Sequence, residues 1–507
     1  MKKFHKIALI AVLALTLAGC GNSANDQLTT LEDLQGKKLA MCSGNGSYIH
    51  DIEQELPGIT VDYYQNYMDT FISVHDGKDD FSFVFLGVLP GIQQNVDGLT
   101  AIESNIEIPI VMGFSASDSQ LKKDFDKYVD EATADGSIDA LAAEWLEGYG
   151  SGDKTGFDFT TLPDTNGTFS MALASTNVPA EYLIDGQVAG FEPAVVYDFC
   201  QKYGYRAKYI EATYDAVMMG LTTGKYDMGL GYYGYTDERS EGMVFSKPYY
   251  TDHVGYVVLD KTSTGSEGML SSVSNSFYKN FLKENRWRLL ASGFLITLLI
   301  TFASAVLGTG VGFVLFLISY RRKVITRVFN IINDTFESLP ALVILMIFFY
   351  VIFGSTQIPG SVVSILVFGM MFSFTIFAMI SNCVAGVPEG NREAALALGY
   401  TSKQALFRVI LPQIRQGFVP AYKSAVIALL KGTAIVGYVA VQDLTKGGDL
   451  IRSFTFDAFF PLIAVAIVYY ILARLLIFAL DRIIELTKPD GGARFLKEVV
   501  DHANTDN

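Results

Sequence analysis

Two long stretches without a charged side chain limit what this chain can fold into. Residues 289–320 and 338–388 contain no Asp, Glu, Lys or Arg. The first stretch is long enough to cross a hydrocarbon core of about 30 Å as one tilted helix. The second is long enough for two crossings, separated by a turn at residues 354–360 that contains Gly and Pro. Because only three basic residues interrupt residues 418–442 and 458–480, the sequence predicts five transmembrane helices.

Clusters of basic residues orient these predicted helices. They lie at residues 321–327, between the third and fourth helices, and after residue 480. Cytoplasmic loops are enriched in Lys and Arg, so the clusters indicate an N-terminal part outside the cell and a cytoplasmic C-terminus. Lys423 and Lys431 lie within the fourth predicted helix. Such charges either face a wet pathway or extend towards the membrane interface, and the sequence leaves both open.

The N-terminal half has the opposite charge balance. Residues 21–262 contain 38 Asp and Glu against 14 Lys and Arg, whereas residues 263–507 contain 15 against 21. An acidic part joined to a basic, apolar part indicates two environments rather than one globule. The acidic balance also argues against a nucleic acid partner, because nucleic-acid binding requires positive charge.

The first 20 residues have the layout of a bacterial export signal. Three lysines precede an apolar run at residues 7–17, and small residues follow up to Cys20. Residues 17–20 resemble the lipobox of bacterial lipoproteins, which implies that Cys20 carries a lipid anchor. An ordinary signal or an uncleaved anchor helix is the alternative. In each case the residues that follow are predicted to be exported.

Signals for metal or catalytic chemistry are weak. The five histidines are scattered without metal-ligand spacing, so no metal site is predicted. Cys42 and Cys200 are the remaining exported cysteines, and the sequence cannot place them within bridging distance. Residues 220–226 resemble a phosphate-binding loop but are one residue too short and lack its Ser or Thr. With no Gly-x-Ser-x-Gly motif either, an enzyme is not predicted.

A charged segment between the third and fourth predicted helices, residues 389–413, carries a motif. Its key positions are Glu393, Ala394, Ala395, Gly399, Leu411 and Pro412. The segment resembles the EAA loop of bacterial ABC importer permeases, and residues 288–487 resemble their transmembrane domain. In that family the loop is a cytoplasmic helix-turn-helix that docks on a separate ATPase. The resemblance implies ATPase subunits as partners, with ATP and magnesium held there and no cofactor in this chain, and a homodimer through the transmembrane domain.

The exported half resembles a second family. Residues 167–262 alternate strand-like and helix-like segments, as in an α/β lobe with a mostly parallel sheet. Their segments at 224–228 and 236–239 resemble the first lobe (lobe one) of two-lobed, periplasmic-type solute-binding proteins for polar amino acids. Residues 28–148 resemble the second lobe (lobe two) with the C-terminal helix that returns to lobe one. The order implies a circular permutation joined through a linker at 149–166. Two tandem domains that lost complementary halves, or decayed fragments that bind nothing, are the alternatives.

This second resemblance implies ligand contacts in the cleft between the lobes. Arg239 matches an arginine that grips the substrate carboxylate, a task that suits a guanidinium fork. Tyr214 matches, and Tyr182 lies near, aromatic positions that contact the substrate. Three further candidates stand where the family has small or hydroxylated residues: Asn45, Tyr232 and Gly234. The family's carboxylate for the substrate ammonium is replaced by Leu86 or Gly87. Either another residue supplies that charge, or the ligand is not a simple α-amino acid.

These observations predict a multi-pass protein of the bacterial plasma membrane. We expect the permease subunit of an ATP-driven ABC importer for a polar amino acid or similar small solute, with a solute-binding domain fused at its exported N-terminus. A membrane-anchored sensor without transport is the alternative, although a sensor needs no ATPase dock. The predicted segments are a signal peptide (1–20), lobe two with the return helix (28–148), a linker (149–166), lobe one (167–262), a second linker (263–287), the transmembrane domain (288–487) and a cytoplasmic tail (488–507).

Overall fold

The computed structural model describes residues 27–96, 98–115, 119–260, 274–354, 356, 358–455, 457 and 459–486. The predicted signal peptide with Cys20, the first part of the 263–287 linker and the 488–507 tail lie outside these residues. The described residues form an α/β N-terminal half and a helical C-terminal half, which confirms the fold class expected from the sequence.

One mixed β-sheet organises the N-terminal half. The described strands are β1 (Lys38–Cys42), β2 (Thr60–Tyr64), β3 (Phe81–Phe85), β4 (Leu99–Phe114), β5 (Gly167–Leu173), β6 (Tyr182–Ile184), β7 (Gln187–Ala189), β8 (Tyr205–Glu211), β9 (Met228–Gly234), β10 (Val244–Phe245) and β11 (Tyr250–Leu259). Nine of them form the sheet, in the order β2-β1-β3-β11-β4-β9-β5-β8 with β10 paired to β4. β6 and β7 form a separate antiparallel hairpin.

Two crossing strands join the lobes through this sheet. β1, β2 and β3 pair in parallel in lobe two, and β5, β8 and β9 pair in parallel in lobe one. Between them, β4 and β11 pair antiparallel with each other; β11 also pairs with β3, and β4 with β9. The sheet is therefore parallel within each lobe, as predicted, and antiparallel where the chain crosses between lobes.

Helices cover the sheet. They are α1 (Ile49–Glu55), α2 (Tyr67–His75), α3 (Leu89–Gln93), α4 (Gln120–Ala134), α5 (Ser137–Ala142), α6 (Phe191–Tyr203), α7 (Tyr214–Thr222) and α8 (Asp237–Gly242). Short 3₁₀ or π turns lie at Glu32–Leu34, Ser43–Tyr48, Leu86–Val88, Ala143–Glu147 and Phe159–Thr161. α4 packs on lobe one, where the Tyr128 hydroxyl donates to Asp198 at 2.8 Å and the Tyr205 hydroxyl donates to Asp124 at 2.7 Å.

The central strands and two helix caps position the cleft. Every residue of β3 and of β9 is buried, as is typical of strands covered on both faces. The Thr213 side chain accepts a hydrogen bond from the N–H of Ala216 and begins α7. The Thr236 side chain accepts one from the N–H of Arg239 and begins α8. These caps fix the helices that carry Tyr214 and Arg239.

The C-terminal half is helical. Its α-helices are α9 (Trp287–Ser319), α10 (Lys323–Ser338), α11 (Ala341–Met346), α12 (Gly360–Ala385), α13 (Glu389–Ala397), α14 (Ser402–Ala405), α15 (Leu411–Gly432), α16 (Leu444–Thr455) and α17 (Phe459–Leu486). Short 3₁₀ or π segments lie at Tyr278–Leu282, Lys283–Asn285, Ile347–Ile352, Leu406–Ile410 and Thr433–Val439.

Not every predicted span is a continuous helix. Among the described residues, four helical stretches are long and apolar enough to cross a membrane: Trp287–Ser319, Gly360–Ala385, Ser402–Val439 and Phe459–Arg482. α10 and the stretch Ala341–Ile352 pass the same test only as a pair bent by 103°, which makes five if the pair is one span. The bend follows from Pro340, because a proline disfavours helical backbone at the preceding residue, and Leu339 is extended.

Small residues let α9 and α12 approach closely. A Cβ at Gly308 would lie 2.8 Å from the carbonyl oxygen of Gly369. A Cβ at Gly312 would collide with the carbonyl oxygen of Ser373. A larger side chain at either glycine would therefore push the two helices apart, as at other close helix contacts in membranes.

Candidate functional site

A cavity of about 260 Å³ lies where the two lobes meet the helical C-terminal half, residues 274–486, hereafter the membrane half because it contains the predicted spans. All three parts of the chain line it. Its charged lining residues are Asp69 of lobe two, Glu181 and Asp215 of lobe one, and Asp443, Lys446, Asp449 and Arg452 of the membrane half. The volume is just below the range of about 300 to 1,000 Å³ common for drug-sized ligands, which suits a smaller solute.

The structure brings most of the predicted contact residues to this region. Asn45, Tyr214 and Tyr232 line the cavity. Arg239 and Gly234 are not among the lining residues, although Arg239 contacts the Tyr214 hydroxyl. Tyr182 instead packs against the rings of Trp145 and Tyr149 and lines a different pocket. The ligand roles of all six residues stay predictions.

Arg239 links the two lobes. It is only 8% exposed. From lobe one, its guanidinium donates to the Tyr48 hydroxyl of lobe two at 2.6 Å and to the Gly44 carbonyl. It also donates to the Gly234 carbonyl of its own lobe at 2.9 Å. The sequence predicts that the Arg239 guanidinium faces an open cleft, whereas in the structure it already donates hydrogen bonds to acceptors of the protein.

Tyr214 reaches the same junction. Its hydroxyl lies 3.5 Å from the Arg239 guanidinium, and its ring centroid lies 5.3 Å from that of Tyr233. A Cβ at Gly44 would collide with the Tyr214 ring, so lobe two comes this close only because residue 44 is glycine. Burial raises the pKa of Tyr48 to about 12, which keeps its hydroxyl neutral beside Arg239.

Backbone occupies the place of the missing lobe-two carboxylate. The N–H of Gly87 donates to both carboxylate oxygens of Asp252, at 3.1 and 3.0 Å. Asp252 lies on the crossing strand β11 and also accepts from the Tyr232 hydroxyl at 2.8 Å. This carboxylate therefore holds the two lobes together, and it is not among the cavity-lining residues.

Two neighbouring carboxyl groups of lobe one have no counterpart in the sequence prediction. Glu192 accepts from the backbone N–H groups of Gly231 and Tyr232, at 2.9 and 3.0 Å. Glu181 is 1% exposed and lines the cavity. Burial, reinforced by Glu192, raises the pKa of Glu181 well above its usual value, and burial raises the pKa of Glu192 to about 7. No local sequence signal marks Glu181 as buried, since glutamate is usually exposed.

Helix α16 closes the cavity on the membrane side. Its Arg452 pairs with Asp69 of α2 at 3.2 Å and with Asp449 at 3.3 Å. Its Lys446 lies 3.7 Å from Glu211, at the end of β8. One helix of the membrane half therefore contacts both lobes. The partners in the two pairs that reach the lobes, Asp69 with Arg452 and Glu211 with Lys446, are far apart in the chain, so sequence reasoning missed these pairs.

Lys225 provides a further contact between lobe one and the membrane half. Its ammonium donates to three backbone carbonyl groups, at 3.2, 2.6 and 3.4 Å, those of Phe353, Thr356 and Ile358. It also lies 4.5 Å from the centroid of an aromatic ring of the membrane half. Lys225 is the lysine of the 220–226 segment that resembles a phosphate loop, and the structure uses it to hold lobe one in place.

The segment 389–413 forms the predicted helix-turn-helix. Gly399, at the turn between α13 and α14, has a φ of 88°. Thr401 and Gln404 form a reciprocal capping box at the start of α14, with hydrogen bonds of 3.3 and 2.9 Å. Leu398 beside the turn is 79% exposed. The docking roles stay predictions for all six motif positions: Glu393, Ala394, Ala395, Gly399, Leu411 and Pro412.

Two open questions from the sequence receive structural answers. Lys423 forms an ion pair with Asp481 of α17, a partner that neither of its sequence interpretations included. Cys42 and Cys200 are free and buried, and they lie in different lobes. The described structure therefore contains no bridge between these two cysteines.

Comparison with known proteins identifies the membrane half. Residues 304–487 match the family described as the inner membrane component of binding-protein-dependent transport systems. A glutamine transport system permease protein of Rickettsia bellii is 31% identical over 202 residues, which cover 39% of this chain and 91% of the relative. An L-cystine transport system permease protein of Bacillus subtilis is 26% identical over 203 residues, covering 39% of this chain and 86% of the relative. This chain belongs to that family of inner membrane transport components.

A solved structure of an amino acid ABC transporter with histidines is 26% identical in sequence to this chain. The structural alignment covers 43% of this chain and 98% of the solved chain, with a TM-score of 0.37. The chain is thus a membrane transport component, and the ATPase that drives such a system is a separate subunit.

Proposed function

We propose that this chain is the permease subunit of an ATP-driven importer for a polar amino acid or a similar small solute, with its own solute-binding domain fused to it. The observation that carries the proposal is the cavity lined by both lobes and by α16 of the membrane half. A solute held there already lies against the membrane half. The relatives named for glutamine and cystine transport support an amino acid as the solute.

The contacts of α16 suggest how loading of the cleft reaches the membrane half. Lys446 contacts lobe one and Arg452 contacts lobe two, so both ion pairs form together only when the lobes stand at the right distance. Fusion keeps the binding domain at a high effective concentration above its own pathway. In this proposal the ATPase acts from the other side of the membrane, through the 389–413 loop.

The order of elements supports a circular permutation of the binding domain. Lobe two comes first, β4 carries the chain into lobe one, and β11 carries it back. The 149–166 linker joins the return helix to β5. Either this history or the loss of halves from tandem domains leaves one cleft, which is the cavity described above.

The proposed orientation places the lobes outside the cell and the 389–413 loop in the cytoplasm. Lys225 holds lobe one at residues 353–358, and α16 lies at residues 444–455. Both lie in connections between spans that the five-span arrangement places outside, whereas the basic segment 321–327 falls inside. We further propose a lipid anchor at Cys20, a homodimer through the transmembrane helices, and cytoplasmic ATPase subunits as partners.

The first prediction tests transport through the loop. Gly399 adopts a φ of 88°, which favours glycine, and no described residue comes within 4 Å of the place where its Cβ would lie. We expect Gly399→Asp to abolish ATP-dependent uptake of radiolabelled amino acids in cells that also express the ATPase subunit from the same organism. Solute binding by the purified chain should stay unchanged, because the loop is remote from the cleft.

A matched control is Gly77→Asp in lobe two, since Gly77 also has a positive φ of 70° and open space beside it. That variant should retain uptake at equal membrane abundance. Uptake at the wild-type rate by Gly399→Asp would contradict docking through this loop. Solute binding without ATP-dependent uptake by the wild-type chain would favour the sensor instead.

A further inference from the structure

Negative charge dominates the lining of the cavity between the lobes and α16. Five of its seven charged lining residues are carboxylates. The two cations, Lys446 and Arg452, each lie within 3.7 Å of a carboxylate. Glu181 and Asp215 have no ion-pair partner among the described residues. Asp443 of the membrane half also has no ion-pair partner among them, but both oxygens of its carboxylate already accept hydrogen bonds, at 3.0 and 3.4 Å. The carboxylates that face the cavity without a cation and without a full set of donors therefore belong to lobe one.

Unsatisfied hydrogen-bond acceptors point to the same end of the cavity. Oδ1 of Asn177 and Oε2 of Glu181 are buried and accept no hydrogen bond from an N–H group within the described part of the chain, and the polar neighbour of the Glu181 carboxyl group is a second carboxyl group, that of Glu192. Asn177 and Glu181 both line the cavity. The other carboxylate oxygen of Glu181 accepts from the Asn177 amide at 3.4 Å. Buried acceptors without donors are rare in folded proteins, so these two oxygens call for N–H groups from a ligand.

A positively charged ligand would satisfy both observations. A buried carboxylate without a counter-charge is costly, and the raised pKa of Glu181 reflects that cost. An ammonium or guanidinium group brings the missing charge and several N–H donors together. An anionic solute would instead face uncompensated like charges across a partly desolvated cavity.

We infer that the cavity selects a cationic solute rich in N–H donors, an ammonium or guanidinium compound, with Glu181 as the carboxylate that receives its positive group and Asp215 as a second facing carboxylate. The inference rests on the proposed solute-binding function. It also accounts for the missing lobe-two carboxylate, because lobe one supplies the charge that Leu86 and Gly87 cannot. Neutral and anionic amino acids bind this cavity more weakly than cations.

The test uses the full-length chain in lipid nanodiscs and isothermal titration calorimetry. The probes are L-arginine and L-lysine, the amines agmatine and cadaverine, which lack the carboxylate, and the contrasting L-glutamine and L-glutamate. At least one cationic probe should bind roughly tenfold or more tightly than glutamine, since one charge-assisted hydrogen bond contributes about 1.5–3 kcal/mol. Comparison of arginine with agmatine shows whether the solute is a basic amino acid or a plain amine.

Variants locate the site. Glu181→Gln should weaken binding of the best cation roughly 10- to 100-fold, and Asp215→Asn should weaken it less, because Asp215 is less buried. The matched control is Glu55→Gln: Glu55 accepts hydrogen bonds from Ser104 and Tyr256 away from the cavity, so cation affinity should stay unchanged. A melting temperature for each variant verifies folding, and Asp215→Asn keeps the test valid if Glu181→Gln unfolds.

Three other outcomes would overturn the inference. Glutamine or glutamate binding as tightly as the best cation, or unchanged cation affinity in both cavity variants, removes it and leaves the proposed importer intact. Failure of all six probes while the chain still supports ATP-dependent uptake of another solute has the same meaning. Failure of all six probes together with absent uptake overturns the proposed function as well.

Discussion

Lobe one and lobe two meet their neighbours with different chemistry. Lobe one contributes two buried cations: Arg239 points to lobe two, and Lys225 points to backbone carbonyl groups of the membrane half. Lobe two contributes acceptors and one partly exposed ion pair, in which Asp69 and Arg452 side chains are 25% and 17% exposed. Lobe two also accepts a hydrogen bond at Gln65 from the Tyr438 hydroxyl at 2.6 Å.

This difference indicates which lobe moves. A buried ammonium with several carbonyl partners is held strongly, because its release would leave both the charge and the carbonyls unsatisfied. A partly exposed ion pair loses less, since water replaces the partner. We therefore expect lobe one to stay on the membrane half while lobe two opens and closes the cleft. Three predictions test the comparison, from the strongest contact to the weakest.

The largest effect is expected at the contact between the lobes. Arg239→Lys cannot reproduce a guanidinium fork, and it leaves buried acceptors of both lobes without a donor. At about 1.5–3 kcal/mol for each charge-assisted bond, losing one should shift the lobes towards the open state roughly 10- to 100-fold without ligand, and losing two should shift them further. Distances from electron paramagnetic resonance between spin labels at Glu53→Cys and Lys127→Cys measure this shift. The first label lies on α1 of lobe two, and the second lies on α4, which packs on lobe one.

Arg206→Lys is the control, because Arg206 of lobe one binds Leu162 and Asp164 of the 149–166 linker rather than lobe two. It should leave the label distance unchanged. The alternative, from the sequence, is that Arg239 faces an open, wet cleft and waits for a ligand carboxylate. An unchanged label distance in Arg239→Lys, with weaker ligand binding, would support that alternative and contradict the lobe contact.

A smaller effect is expected where lobe one meets the membrane half. Lys225→Met keeps most of the side-chain volume but removes the ammonium from three carbonyl groups. Amide hydrogen exchange of residues 353–358 should become roughly tenfold faster or more, because local opening costs less free energy. Lys208→Met, at an exposed lysine of the same lobe, is the control. Equal exchange in both variants would mean that lobe one is held elsewhere.

The smallest effect is expected for lobe two. A double-mutant cycle with Asp69→Asn and Arg452→Gln should give a coupling of about 1 kcal/mol, or roughly a fivefold change, in the hydrogen-exchange protection of α16. Raising the salt concentration should reduce this coupling, since the pair is partly exposed. A coupling larger than the effect of Lys225→Met would reverse the comparison and make lobe two the fixed lobe.

Local patterns predicted the elements that depend on neighbours in the chain. The uncharged stretch that became α9 follows from its length and composition. The 389–413 helix-turn-helix was expected from the resemblance to the EAA loop, and Gly399 with the capping box of Thr401 and Gln404 fixes its turn locally. The second predicted span, which begins at residue 338, is not one straight helix. It was predicted from the absence of charged residues alone, and that criterion does not register Pro340, which bends the chain between α10 and α11. The phosphate-loop resemblance was recognised as incomplete, but no local rule could show that Lys225 docks on carbonyl groups more than a hundred residues away.

The sequence by itself determined the family of the membrane half, its apolar segments, and an N-terminal half with mostly parallel strands. Only the tertiary structure decided what the cleft contains. It buried Arg239 between the lobes, brought Glu181 to the cavity and placed Lys446 beside Glu211. The physical reason is range: helix, strand and turn signals act within a few residues, whereas burial and charge pairing depend on how distant segments pack against one another.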